Sequence, residues 1–198
     1  MKNTFCILLT MVLLGQWAAA QEYAVMKIRF PKDKELKRVV IKLHESDAPN
    51  TVENFKRLTR KRFYNKQTFH RAFPGIMVQT GDPLSRGKDR SAVGTGGPGY
   101  TIPAEIRGKH RKGSVAMARL PDETNPTRRS NGSQFYIALK PMPELDGKYT
   151  VFGEVIEGLD ILERISRVSV DTNDNPRQRY EIRSLKILSI EDFAPPQR

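Results

Sequence analysis

The most informative segment of this chain is Phe69-His-Arg-Ala-Phe-Pro-Gly-Ile-Met-Val-Gln-Thr-Gly-Asp82. Its Pro-Gly pair is typical of a tight turn, because proline restrains the backbone and glycine tolerates angles that other residues avoid. The residues on either side of the turn favour strands. Polar side chains, the last of them before Thr80 being Gln79, lie next to apolar ones in these segments. Without any comparison, the pattern predicts a strand, a turn and a second strand, with the side chain of Arg71 exposed.

Short strand-like segments lie on both sides of this stretch. Residues 26–30 and 39–43 place apolar side chains at every second position, and the charged, turn-like stretch 31–38 between them predicts a hairpin. Five further short apolar segments are predicted strands: residues 76–79, 114–118, 134–139, 150–155 and 184–190. Many short strands of this kind favour a closed or nearly closed sheet.

Two segments have helical periodicity. In the first, Asp47 is the expected N-cap, Pro49 lies in the first turn, and apolar residues recur at positions 52, 55 and 58. The second covers residues 158–167, where apolar side chains recur at positions 159, 162 and 165. These helices are expected to cap the sheet.

The first twenty residues have the three parts of a secretory signal peptide. Lys2 supplies positive charge, residues 5–14 form an apolar run, and Ala18-Ala19-Ala20 is a small-residue cleavage site. Cleavage is expected before Gln21. A transmembrane helix is the alternative, but the apolar run is shorter than the roughly 20 residues that a span needs.

The remainder of the 198 residues suits one domain with a substantial core. We predict that residues 1–20 are removed, that residues 21–190 form the folded domain, and that residues 191–198 are a flexible C-terminal tail. No transmembrane segment is expected after removal of the signal.

Composition disfavours several kinds of chemistry. Cys6 is the only cysteine and leaves with the predicted signal, so the mature chain has no thiolate for metal binding or nucleophilic attack. The three histidines, His44, His70 and His110, have no metal-ligand spacing. We therefore expect neither a metal site nor a cofactor, and interpret His44 and His110 as structural or solvated residues.

The chain carries a formal net charge of +12, which raises the question of a nucleic-acid partner. Such a charge favours solubility and weak attraction to polyanions. The Lys and Arg residues are scattered, however, and are not interleaved with aromatic residues as in a base-stacking surface. No specific nucleic acid is therefore expected as a partner.

Two motifs are misleading. Residues 94–99 satisfy G-x-G-x-x-G, but a polar stretch precedes them and Pro103 opposes a following helix, so a flexible glycine loop is the better interpretation. Residues 171–175 resemble the start of a calcium loop, but Pro176 and Ile182 occupy the positions where that loop needs Gly and Glu. A polar turn is expected there.

The opening stretch closely resembles the cyclophilin signature F-H-R-x-x-P-G-F-M-x-Q-G-G-D. Three further motifs resemble the same family in the same order: Gly113-Ser-Val-Ala-Met-Ala118, Ser130-Asn-Gly-Ser-Gln-Phe-Tyr-Ile137 and Leu145-Asp-Gly-Lys-Tyr-Thr-Val-Phe-Gly-Glu-Val155. The resemblance spans residues 23–190. It implies a mainly β fold, a closed eight-stranded antiparallel β-barrel capped by two α-helices. Because side chains fill so small a barrel, the substrate groove is expected on its outer surface.

The resemblance implies a peptidyl-prolyl cis-trans isomerase. Together with the predicted signal peptide, it predicts a bacterial, exported member that assists the folding of exported proteins. By the same resemblance, Arg71 is the catalytic residue. The substrate-binding residues would be His70, Ile76, Met77, Gln79, Ala118, Arg119, Gln134, Tyr136, Leu145 and Tyr149. His70 and Tyr149 would lie at the rim. The expected partners are proline-containing polypeptides, and the expected state is a monomer, in the periplasm of a Gram-negative source or otherwise secreted.

Five positions depart from the best-known pattern of the family. Ile76 and Tyr136 occupy positions where the family usually has Phe. Arg119 occupies the position of an Asn, Tyr149 that of a His, and Glu144 that of a Trp that is frequent in the family. These changes leave two alternatives open. One is a non-catalytic peptide-binding module that uses the same groove, although the retained Arg71 and Gln79 favour catalysis. The other is a binder of nucleic acid or surface polyanions on the same scaffold.

The loss of aromatic area at Ile76 and Glu144 predicts weak cyclosporin binding, because the family's tryptophan helps to form the cyclosporin site. A titration of residues 21–198 with cyclosporin is expected to give a dissociation constant above the micromolar level. Sub-micromolar binding would contradict this prediction.

Overall fold

The computed structural model of the chain describes residues 21–189 and Asp192. The predicted signal peptide over residues 1–20 lies outside the described residues, as does the predicted tail over residues 191–198 apart from Asp192. In chain order, the elements are β1 (Glu22–Arg29), β2 (Leu36–Leu43), α1 (Pro49–Arg60), β3 (Arg71–Phe73), β4 (Met77–Thr80), β5 (Ser114–Met117), β6 (Phe135–Ala138), β7 (Val151–Glu157), α2 (Leu159–Ser166) and β8 (Glu181–Ser189).

The strands form one antiparallel sheet in the order β3-β4-β6-β5-β7-β2-β1-β8. The expected hairpin of the first two strands is confirmed. β1 and β2 are antiparallel, and their pairing runs from Arg29–Leu36 next to the turn to Tyr23–Lys42 at the far end. The five predicted strand segments correspond to β4, β5, β6, β7 and β8. The mainly β fold with two helices is therefore confirmed.

The predicted closure of the barrel is wrong, because the sheet is an open half-barrel with β3 and β8 as its edges. Among the described residues, the contact between these edges is the isolated bridge Thr68–Glu181, with backbone hydrogen bonds beside it. The physical reason is the length of β3. It has only three residues before the turn at Pro74, so it cannot form a ladder along the nine residues of β8.

The core lies between the inner face of the sheet and the two helices. Alternate residues of the strands face inwards, as with Ala24, Met26 and Ile28 of β1, which are fully buried. On α1, Phe55 faces the sheet and contacts Phe135 and Phe152, with ring centroids 5.6 and 5.2 Å away. Contacts of this kind fix the helix against β6 and β7, the strands that carry part of the site.

Both helices occupy the segments that the periodicity predicted, but the expected N-cap of α1 is wrong. The cap position is Ala48 instead of Asp47, and no side chain at that position accepts a bond from the helix. Glu105, from a distant loop, replaces it. Its carboxylate accepts the backbone N–H groups of Asn50 and Thr51 at 3.1 and 2.8 Å. A carboxylate at this end of a helix also interacts favourably with the helix dipole.

We predict that Glu105→Ala lowers the free energy of unfolding by about 1–2 kcal/mol, the usual cost of removing an N-cap. Burial by itself raises the pKa of Glu105, but hydrogen bonds from Thr51 and Asn50 outweigh it, so the pKa lies below 4.5. The stabilisation is therefore present above pH 4.5 and is lost as the pH falls through the lower folded-state value. Chemical denaturation at several pH values measures it.

Asp47→Ala is the matched control, since Asp47 does not cap α1. It is expected to change the free energy of unfolding by less than about 0.5 kcal/mol. An equal loss in both variants would show that Glu105 does not act as the cap.

Candidate functional site

Five strands place one row of side chains across the outer face of the sheet. The antiparallel register sets these side chains side by side, in the order Arg71, Gln79, Tyr136, Ala116 and Val151. Their neighbours along each strand point the other way and pack in the core. The row therefore lies outside the barrel, where the sequence predicted the substrate groove.

An apolar group of side chains, which we call the site cluster, surrounds part of this row. It consists of Met77, Ala116, Tyr136 and Val151, with Phe73, Leu145 and Tyr149 packed against them. Four residues predicted for the substrate site, Met77, Tyr136, Leu145 and Tyr149, are thus brought together. Phe73 was missed by the sequence reasoning. Its position two residues after Arg71 in a strand was the available signal, because such residues share a face.

A groove, which we call the side groove, adjoins the site cluster. It is a cavity of about 520 Å³, and its lining includes five of the predicted residues: Arg71, Gln79, Ala118, Arg119 and Gln134. Since Arg71 and Gln79 also belong to the row that enters the site cluster, they stand between the two features. A peptide could therefore place an apolar ring in the cluster and its flanking chain in the groove.

The guanidinium of Arg71 is available to a bound molecule. The side chain is 43% exposed, and its Nη2 is 4.0 Å from the Asp174 carboxylate, a distant contact for an ion pair. Its Cζ lies 4.9 Å from the centre of the Phe73 ring, which supports the guanidinium plane. No hydrogen bond joins the guanidinium to any other residue within 21–189 or to Asp192. Its N–H donors therefore remain free.

The side chain of Gln79 is held by a chain of hydrogen bonds. Its Nε2 donates to Gln134 Oε1 at 2.8 Å, and Gln134 Nε2 donates to the carbonyl oxygens of Gly94 and Gly96 at 2.9 and 2.7 Å. These bonds tie the glycine loop to the sheet. A Cβ on Gly96 would lie 2.1 Å from Asp82 Oδ1, which explains why glycine is needed there.

His70 is buried beneath the site instead of lying at its rim, so the sequence prediction for its position is wrong. The residue is 2% exposed. Burial lowers its pKa to about 4, and the attraction of the nearby Asp82 carboxylate only partly opposes that shift. The imidazole is therefore neutral at physiological pH and leaves Arg71 as the fixed charge beside the site cluster.

Arg119 has its charge engaged within the protein. Its side chain is only 4% exposed, and its Nη1 lies 2.6 Å from Asp122 Oδ1. Its Nε donates to the carbonyl oxygen of Lys148 at 2.8 Å, and its Cζ lies 4.6 Å from the centre of the Tyr149 ring. Arg119 therefore braces the segment that carries Tyr149.

The structure corrects the prediction for Ile76 and defines the partners of His110. Ile76, expected in the proline pocket, lies in the turn between β3 and β4, is 37% exposed and is not part of the site cluster. His110, which the sequence predicted to be structural or solvated, is structural, since it is buried and hydrogen-bonded to Tyr136 and Asp146. Nothing local could have revealed these partners, which lie 26 and 36 residues away along the chain.

Neither a metal-binding group of side chains nor a membrane-spanning helix is found in the part of the chain that the structure describes. Residues 21–189 and Asp192 contain no group of three or more His, Cys, Asp or Glu side chains that could hold a metal ion. Over the same residues, no helix is long and apolar enough to cross a bilayer. The calcium-like segment is a polar turn, in which Asp171 Oδ1 accepts the backbone N–H groups of Asn173 and Asn175.

Comparisons with known proteins agree with this site. The family profile described as cyclophilin type peptidyl-prolyl cis-trans isomerase/CLD matches residues 26–187. Peptidyl-prolyl cis-trans isomerase-like 1 of Emericella nidulans is 37% identical over 159 residues, which cover 79% of this chain and 92% of that protein. Peptidyl-prolyl cis-trans isomerase B of Bacillus subtilis is 39% identical over 136 residues, covering 67% and 86%.

A solved structure is also similar. It is that of a Cryptosporidium parvum cyclophilin type peptidyl-prolyl cis-trans isomerase in the presence of the dipeptide Ala-Pro, with a TM-score of 0.71 and 26% identity over 84% of this chain and 99% of that one. The family profile spans nearly every strand described above. The chain therefore belongs to the cyclophilin-type peptidyl-prolyl cis-trans isomerase family.

Proposed function

We propose that Arg71 is the catalytic residue of this isomerase and that its substrates are Xaa-Pro bonds in exported polypeptides. The observation that carries the proposal is the position of the Arg71 guanidinium, with unengaged N–H donors between the site cluster and the side groove. Rotation about the Xaa-Pro peptide bond requires no metal ion, no nucleophile and no cofactor.

The barrier to rotation defines what the site must do. Resonance in the C–N bond imposes a barrier of about 18–20 kcal/mol, whereas the two Xaa-Pro isomers differ by only about 0.5–1 kcal/mol. Catalysis therefore requires that the twisted bond be bound more tightly than either planar form. Twisting removes the resonance and returns a lone pair to the prolyl nitrogen, which a fixed N–H donor can stabilise.

Arg71 is suited to that role for reasons of charge and shape. A guanidinium stays charged at physiological pH and presents its donors in a rigid plane. Its place in β3, opposite Gln79, and the Phe73 ring beneath it hold that plane before the substrate arrives. Such preorganised donors act more strongly next to an apolar surface than in water.

The other residues would position the peptide. Met77, Tyr136 and Leu145 would receive the proline ring in the site cluster, with Phe73 beside them and Tyr149 at the edge. Gln79, Ala118, Arg119 and Gln134 would border the extended chain in the side groove, while His70, buried next to Arg71 in the chain, would not reach the peptide. Ile76, exposed in its turn, would contact the proline only at the rim.

We predict that Arg71→Ala lowers kcat/KM for a short Xaa-Pro peptide by about 100- to 1,000-fold, the usual cost of losing one preorganised donor. Arg71→Lys is also expected to impair the rate, because an ammonium is a point charge on a looser stem. The measurement is the isomerisation rate catalysed by residues 21–198.

Arg183→Ala is the matched control. The Arg183 side chain lies on β8 and is 44% exposed, close to the value for Arg71, but it pairs with Glu181 away from the site. It should leave the rate unchanged. Turnover retained in Arg71→Ala would refute the mechanism. Peptide binding without turnover by the native protein would favour the non-catalytic binding module.

Export is supported by the pattern of residues 1–20 and by the start of β1 at Glu22, directly after the predicted cleavage site. We predict that the full chain, expressed in a Gram-negative host, is recovered from the periplasm with Gln21 as its first residue. Mass spectrometry of the fractions measures this. An intact chain that starts at Met1 in the cytoplasm would contradict the proposal.

A further inference from the structure

A chain of three polar side chains runs behind the site cluster. The Tyr136 hydroxyl lies 2.8 Å from His110 Nε2, and His110 Nδ1 lies 2.9 Å from Asp146 Oδ1. The His110 side chain has no exposed surface. Its ring lies nearly parallel to that of Tyr136, while the Tyr149 ring stands perpendicular to both. Two of the three rings belong to the site cluster.

The hydrogen bonds define where each proton lies. The backbone N–H of His110, and then its ring, donate to Asp146 and hold the pKa of that carboxyl below its usual range. Asp146 is therefore a carboxylate, which can only accept, so the ring proton of His110 lies on Nδ1. With the ring proton on Nδ1 alone, Nε2 has a lone pair, and the Tyr136 hydroxyl 2.8 Å away donates to it. Each polar atom in this chain is satisfied.

His110 also holds the loop that carries the far wall of the site. Its backbone N–H donates to Asp146 Oδ1 at 2.7 Å, and its carbonyl oxygen accepts the N–H of Met142 at 3.0 Å. Leu145, which packs in the site cluster, lies between these two attachment points. One residue thus joins the loop over residues 142–146 to Tyr136 on β6.

We infer that His110 is a positioning residue for the bound proline: through Tyr136 and Asp146 it fixes the Tyr136 ring and the Leu145 loop as one rigid pocket. This inference rests on the proposed function, because it assigns the same site cluster to proline binding. A phenylalanine at position 136 could not form the hydrogen bond to His110 Nε2. The tyrosine hydroxyl therefore links the pocket wall on β6 to His110. A buried imidazole without that partner would also lose a hydrogen bond that water could not easily replace.

The test measures KM, kcat and the dissociation constant of a short Xaa-Pro peptide in three variants. Tyr136→Phe removes only the hydroxyl. His110→Asn retains a donor near Asp146 but is too short to reach Tyr136. The third variant combines the two changes. We expect KM and the dissociation constant to rise about three- to tenfold in each single variant, with kcat little changed, as for the loss of one buried hydrogen bond.

The double variant distinguishes a coupled device from two separate effects. If the two residues act as one unit, the dissociation constant of the double variant should be no higher than that of either single variant. Additive losses, or unchanged peptide affinity in folded Tyr136→Phe, would overturn the inference. Tyr136→Phe keeps the test decisive if the His110 variant fails to fold. Nitrogen-15 shifts of the His110 ring provide a second test, since an Nε2–H tautomer would also overturn it.

Two controls match the chemistry away from the site. Tyr180→Phe alters a buried core tyrosine that packs on Phe30, and His44→Asn alters a histidine 3.7 Å from Glu154. Both should leave peptide affinity unchanged. The dissociation constant also separates the two proposals. If the native protein binds peptide without turnover, the function proposed above fails, while the affinities of the variants still support or refute the role of His110.

Discussion

The alternation of side chains along β4, β5 and β6 is the constraint on which the site depends. Val78, Ile137 and Val115 lie opposite one another on the inner face and are fully buried. Because the period of a strand is two, the residues next to them must face outwards. A slip of one residue in register would bury the polar groups of the outer row and expose the core, which makes such a slip costly. Packing inside the barrel thereby sets the geometry of the site outside it.

This arrangement suits a reaction that consists only of rotation about a bond. A site built on strands that are packed from behind can hold a cation in place without reorganisation, and preorganised charge is the main source of stabilisation in such cases. Arg71 belongs to the shortest strand, but that strand pairs with β4, and β4 pairs with β6 in the centre of the five-strand region. The open edge of the sheet therefore carries the exposed guanidinium, while the site cluster lies further in.

The loops around the site are attached to the sheet by polar contacts. Gln134 holds the glycine loop, Arg119 braces the segment before Tyr149, and His110 holds the segment around Leu145. These attachments make the pocket walls part of the same rigid structure as the strands. Part of the positive charge of the chain is engaged in these attachments. The Arg119 guanidinium, for example, contacts Asp122 and the Tyr149 ring instead of solvent.

The secondary-structure elements and the motif of the site were predictable from local sequence patterns. Local periodicity located the first hairpin, both helices and the strands β4 to β8. The resemblance identified four residues of the site cluster and five of the side groove. Features that depend on residues far apart in the chain are visible only in the folded structure. It placed Glu105 at the start of α1, buried His70, moved Ile76 outside the cluster, joined His110 to Tyr136 and left the barrel open at β3. The physical reason is that periodicity and turn chemistry report only on neighbouring residues, whereas caps, burial and sheet closure depend on which distant segments come into contact.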